Sequence, residues 1–146
     1  MNTHKPPVRW PSRPVAKSRA KPVDREGQEQ AALLEEIQVR YPEAYELLYH
    51  VPNGGHRLKE VAAKLKAQGV KAGIPDLVLT MVRGGYFGLY IEFKATVDPA
   101  PVSSSQQACI RRLNDQGYLA VVCQGHFDAM ECLRAYLALP KTEVAA

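Results

Sequence analysis

Two carboxylates and a lysine, Asp76, Glu92 and Lys94, lie in two short segments of alternating character, DLVLTMV (76–82) and GLYIEFK (88–94). Two carboxylates brought to ~4 Å repel by about 1–4 kcal/mol, depending on the local dielectric. A hard divalent cation removes that repulsion, and an oxygen-only donor set suits Mg2+ or Mn2+. A lysine beside them adds a compact positive charge able to stabilise a developing anion or orient a water molecule. Such a set suits phosphodiester hydrolysis. A Tyr-x-Glu-x-Lys strand also fits a plain solvated face, so the triplet alone leaves the chemistry open.

The alternation decides where these groups point. Leu77, Leu79 and Met81 share one face of the first segment, opposite Asp76, Val78, Thr80 and Val82. Leu89, Ile91 and Phe93 share a face of the second, opposite Tyr90, Glu92 and Lys94. A hairpin with an odd loop centred on Gly85 sets Asp76 against Lys94 and Val78 against Glu92. Directly paired residues project to the same side of a sheet, so the three charged groups then converge. An even loop would send Asp76 into the core opposite Phe93.

The elements that must hold this hairpin follow from periodicity and punctuation. Residues 25–40 predict a helix with Ala32, Leu33, Ile37 and Val39 at helical spacing, stopped by Pro42. Residues 47–51 predict a strand that ends at the Pro52-Asn53-Gly54-Gly55 turn. Residues 57–68 predict a helix with Val61, Ala62 and Leu65 as its stripe and Gly69 at its end. Ser103 to Ser105 cap a helix running to about Asn114. Residues 118–123 predict a strand and 127–139 a final helix. The order implies an α/β domain with a four-stranded sheet flanked by helices.

Composition bounds the rest. A chain of 146 residues, 46% hydrophobic and 23% charged, suits one soluble domain. No apolar run reaches the ~18 residues of a membrane span, and the first residues carry no signal-peptide pattern. Cys109, Cys123 and Cys132 form no metal-binding spacing, so buried thiols in a reducing, cytoplasmic setting are expected. The net charge of +4 is uneven: residues 1–23 hold six Lys or Arg and no acid, whereas residues 24–146 hold thirteen basic and fifteen acidic residues. The organisation expected is a basic, proline-rich arm at 1–23, a domain at 24–140 and a tail at 141–146. Such an arm fits a visitor to nucleic acid, and equally a solubilising extension.

The motifs around the triplet are more specific than the triplet. GIPDLVL, then RGGYFGLYIEFK, then SSSQQ opening a helix, then GYLAVV, together with the Glu29-Gln30 pair and HVPNGGHR upstream, resemble the VRR-NUC family of the PD-(D/E)XK nuclease superfamily. The likeness runs from about residue 25 to 138, and short stand-alone members of this kind occur in phages and bacteria. It implies a restriction-endonuclease-like core with a mixed sheet. It implies a Mg2+- or Mn2+-dependent endonuclease acting on branched DNA, a Holliday junction or a flap, as a homodimer.

Carried onto this chain, the resemblance makes Asp76, Glu92, the Phe93 carbonyl and Glu29 metal ligands, Lys94 the catalytic lysine and Gln106 the glutamine that opens the helix after it. Glu26, one turn before Glu29, competes for the helical role. Ser104-Ser105 stands where the family often has Pro-Glu. Asn53, His56, Arg57 and Lys64 are weaker candidates for phosphate contact, alongside His50, Lys59, Lys66 and Lys71, and Trp10 and Tyr86 for base stacking. A non-catalytic binding module with the same fold, or a subunit of a phage replication or packaging assembly, stands as the alternative.

Overall fold

In a computed structural model, residues 23–53 and 58–145 are described. His56, Arg57, Trp10 and all but the last residue of the basic arm lie outside them. Among the described residues nine elements follow in order: α1 (Arg25–Arg40), α2 (Pro42–Glu46), β1 (Leu48–His50), α3 (Lys59–Ala67), β2 (Leu77–Leu79), β3 (Leu89–Lys94), α4 (Ser104–Asp115), β4 (Leu119–Gln124) and α5 (Gly125–Leu137). The sheet order is β1-β2-β3-β4. β1, β2 and β3 pair antiparallel and β4 joins β3 in parallel, which makes the sheet mixed, as expected.

One face of the sheet carries the main core. Leu77, Leu79, Leu89, Ile91 and Phe93 pack there with Leu33 and Ile37 of α1 and Ala129, Met130, Leu133 and Tyr136 of α5. Fully burying a side chain the size of Phe93 stabilises by about 2–3 kcal/mol. Asp24 caps α1 by accepting from the Gly27 N–H at 2.9 Å. Pro42 ends α1 and then starts α2, a short helix that the sequence did not suggest, from its first position. Cys123 is buried and hydrogen-bonded to Cys132, and that contact, with burial, pushes the Cys123 thiol up. All three cysteines are free.

Three expectations need correction. The stripe of α1 buries Leu33 and Ile37 but leaves Ala32 exposed and Val39 82% exposed. α3 buries no residue, and Val61, expected to face inward, is 45% exposed. The third is the hairpin register. The observed pairs are Leu77↔Ile91, Val78↔Tyr90 and Leu79↔Leu89, shifted by two from the expectation, so that continuing the ladder sets Asp76 across from Glu92.

The cause of the shift lies in the turn. Arg83 bridges Tyr86 around Gly84 and Gly85, both at positive φ (59° and 85°), which is the geometry of a two-residue hairpin turn. Alone, that even loop would reverse one strand's faces. Between the Arg83–Tyr86 bridge and the Leu79–Leu89 pair, however, the first strand has one residue more than the second, a bulge that restores the parity. Within the bulge the Met81 carbonyl accepts from Tyr136 Oη at 2.7 Å. The segment expected as a tail is also tied down: Lys141 bridges Arg83, and Gly84 N donates to the Pro140 carbonyl at 2.7 Å.

Candidate metal and catalytic site

β3 brings Glu92 and Lys94 to the face opposite the core, yet neither is solvated. Glu92 is 1% exposed and Lys94 6%. A charge held that dry needs partners. Lys94 Nζ lies 2.8 Å from Glu92 Oε1, and the side-chain amide of Gln106 donates to the same oxygen. The second oxygen, Oε2, is buried and has no hydrogen-bond partner among the described residues.

Gln106 reaches Glu92 because its other end is fixed. Ser103 caps α4 by accepting from the Gln106 N–H at 3.2 Å, and Gln106 Oε1 accepts from the Ser103 N–H at 2.8 Å, a closed capping box. With Oε1 so engaged, the amide Nε2 must point away from the cap, toward the strand. Gly73 lets this helix end approach. At φ 83°, a Cβ there would sit 2.6 Å from the Ser105 carbonyl oxygen, so only glycine fits between the Asp76 segment and α4.

Asp76, half-buried just before β2, accepts from the Phe93 N–H through Oδ2 at 2.8 Å. That bond turns its carboxylate toward β3 and leaves Oδ1 without a hydrogen bond among the described residues. On α1, Glu26 and Glu29 part company. Glu29 accepts from Thr96 N at 3.0 Å and Thr96 Oγ1 at 2.7 Å, which binds it to the chain just past Lys94. Glu26 instead lies within electrostatic range of Lys94, Asp76 and Glu92.

The signal for Glu26 was present in the sequence. At about 100° per residue, Glu26 falls within ~20° of the buried Leu33 and Ile37, whereas Glu29 sits ~60° to one side. Glu26 and Gln30 share the stripe that points at the sheet.

Electrostatics reflects the crowding. Burial, countered by the Lys94 hydrogen bond and reinforced by the charge of Asp76, raises the Glu92 carboxyl above its ordinary value. Burial also raises Glu26, with Lys94 pulling it down and Asp76 pushing it up. Three carboxylates thus share one ammonium. Among the described residues no three His, Cys, Asp or Glu side chains form a ready cage. Mg2+ needs no such cage: it is ordinarily held by one or two carboxylates with waters completing the octahedron. The buried, unpartnered Oε2 of Glu92 is the fitting donor.

The weaker candidates sort differently. Asn53 donates to the Ile74 carbonyl at 2.7 Å, and His50 Nδ1 lies 2.8 Å from the Asp76 carbonyl, so both serve the backbone that carries Asp76. Lys59, Lys64 and Lys66 on α3, with Lys71 after it, are exposed. Tyr86 packs on Tyr136, ring centroids 6.3 Å apart, rather than standing free to stack on bases.

A solved structure described as a VRR_NUC domain protein matches with a TM-score of 0.72 and 29% identity over 82% of this chain and 93% of that one. No curated protein matches. The VRR-NUC domain model itself matches residues 24–127, which span α1 through β4 and every residue of the cluster. With that match across most of its length, a restriction-endonuclease-like fold and a nuclease-type function implied by it, the chain belongs to the VRR-NUC family.

Proposed function

We propose that the chain is a metal-dependent deoxyribonuclease that hydrolyses phosphodiester bonds in branched DNA, a Holliday junction or a flap, as a homodimer. The observation that carries this reading is the buried, unpartnered Oε2 of Glu92 beside Asp76 and the Lys94–Glu92 pair. Asp76, Glu92 and the Phe93 carbonyl would hold Mg2+ or Mn2+, with Glu26 taking the helical role in place of Glu29. A bound Mg2+ or Mn2+ supplies Lewis acidity at the phosphoryl oxygen and an acidified water.

The chain's own residues supply the rest. Lys94, fixed by its contact with Glu92, sets a positive charge where the phosphoryl oxygens gain negative charge. Gln106 and Lys94 together hold Oε1 of Glu92, which leaves Oε2 as the atom offered for coordination. The exposed lysines of α3 and the basic arm would follow phosphates, contributing affinity without sequence preference. A single centre cuts one strand, so resolving a junction calls for two copies about a two-fold axis.

The test is a labelled panel of Holliday junction, flap, splayed arm, duplex and single strand, incubated with and without Mn2+ beside Asp76→Ala. Branched substrates are expected to be cut only by the wild-type protein with metal. Binding without cleavage, identical for both proteins, would make the chain a non-catalytic module. Removing residues 1–23 should flatten the dependence of DNA affinity on salt.

A further inference from the structure

Three residues of one short stretch, His50, Val51 and Asn53, hold the backbone that carries Asp76. β1 ends at His50, paired with Leu77, and the ladder runs one bond further, from the Val51 N–H to the Asp76 carbonyl at 2.8 Å. It does not continue in the ordinary way, because the Asn53 N–H, next in phase, turns back to the Val51 carbonyl at 2.9 Å. Side chains take over. His50 Nδ1 lies 2.8 Å from the same Asp76 carbonyl, occupying its second lone pair, and Asn53 Nδ2 donates to the Ile74 carbonyl at 2.7 Å. The carbonyls on both sides of the buried Pro75 are therefore secured from β1 and the turn after it.

The His50 contact fixes a tautomer. A carbonyl only accepts, so Nδ1 carries the hydrogen. The Gln30 side-chain amide, one turn after Glu26 on α1, comes within 3.0 Å of the same nitrogen and, with Nδ1 donating, can bond it only through its oxygen. Asp76 is thus held at its main-chain carbonyl by β1 and at its carboxylate by the Phe93 N–H. With both ends fixed, the position of Oδ1 is set before anything binds to it.

We infer that His50 and Asn53 are positioning residues for Asp76, presetting its carboxylate for a divalent cation. This rests on the proposed metal-dependent reaction. Productive coordination tolerates about 0.5 Å of error, and loss of such supporting partners ordinarily costs 10–100-fold in metal affinity or activity. The role differs from a phosphate contact: the effect should reach the cation through Asp76 and leave DNA affinity alone.

The experiment titrates Mn2+ by calorimetry into the full chain and into His50→Phe, His50→Asn and Asn53→Ala, with steady-state cleavage and thermal unfolding in parallel. Phe keeps the ring but has no donor, whereas Asn places Nδ2 where His has Nδ1. His50→Phe is expected to weaken Mn2+ binding and lower kcat by about 10-fold, with KM for DNA unchanged and His50→Asn recovering most of the loss. Tyr136→Phe, which loses its bond to Met81 far from Asp76, should lower the Tm without moving Mn2+ affinity. Should His50→Phe fail to fold, Asn53→Ala reads the same effect through the Ile74 carbonyl. Wild-type uptake of Mn2+ matched by undiminished uptake in His50→Phe, or in Asn53→Ala where that is the variant read, would overturn the positioning role and leave the nuclease reading intact. Absence of uptake by the wild type would remove both.

Discussion

Replacing Asp76 with Asn removes one charge and almost no volume, so it isolates the electrostatics of the cluster. Asp76 raises the proton affinity of both Glu26 and Glu92, which means that each pair repels in the metal-free fold. Across a directly opposed pair, about 5 Å apart, one repulsion is worth roughly 3 kcal/mol at an effective dielectric of 20. Asp76 is half-exposed and Lys94 offsets part of the repulsion, so the net relief is discounted to about 1–2 kcal/mol. The Asn side chain still has an oxygen to accept from the Phe93 N–H, which keeps the geometry. In EDTA, Asp76→Asn should therefore melt above the wild type, by about 3–10 °C for a domain of this size. Adding Mn2+ should reverse the order. At a hundred times Kd a bound ion stabilises the wild type by about 2.7 kcal/mol and gives the variant nothing. Differential scanning calorimetry under both conditions reads the two signs directly. A variant that melts below the wild type in EDTA, or gains as much from Mn2+, would refute the account of a charge cluster built around a cation.

The remaining predictions use the same structure. Glu26→Gln should abolish Mn2+-dependent cleavage and, like Asp76→Asn, raise the metal-free Tm, whereas Glu29→Gln should retain Mn2+ uptake and lose about 1 kcal/mol of stability through its Thr96 contacts, measured by urea unfolding. Gly73→Ala should destabilise by at least about 2 kcal/mol, combining strain at φ 83° with collision against Ser105, and should slow cleavage by displacing Gln106. Glu26 and Glu92 are raised above 4.5, so their protonated forms are the ones the metal-free fold favours. The contribution of these two groups to metal-free stability should accordingly be complete below pH 4.5 and be lost as pH rises through the raised values, while Mn2+ affinity runs the opposite way. Thermal melts and calorimetry across pH 4.5–7.5 check both slopes.

Much of this was legible because the informative patterns are local. Alternation with period two placed Asp76, Glu92 and Lys94 on one side of β2 and β3, and helical spacing together with the serine cap located α4 and Gln106. What escaped depends on distant partners. The hairpin register turns on a bulge whose Met81 carbonyl is satisfied by Tyr136, fifty-five positions away. The apolar residues of α3 looked like a core stripe, yet a pattern cannot report whether anything lies opposite, and among the described residues none of them is fully buried. The choice between Glu26 and Glu29 required the angle of each around α1 relative to Leu33 and Ile37. His50 and Asn53 read as candidates for phosphate contact at a turn because their partners are main-chain carbonyls, which every residue possesses and no sequence displays.

The extra residue between Thr80 and Val82 has an evolutionary corollary. Because successive side chains alternate sides, losing that one position while keeping the Gly84-Gly85 turn would carry Leu77 and Leu79 to the side of Glu92 and Asp76 into the interior, dragging the adjoining β1 with them. Insertions and deletions on this arm should be tolerated only in twos. Relatives with a longer or shorter connection would then be expected to differ by an even number of residues, and a library of one- and two-codon deletions across 80–87 would reveal that rule as survival of the double and loss of the single deletions.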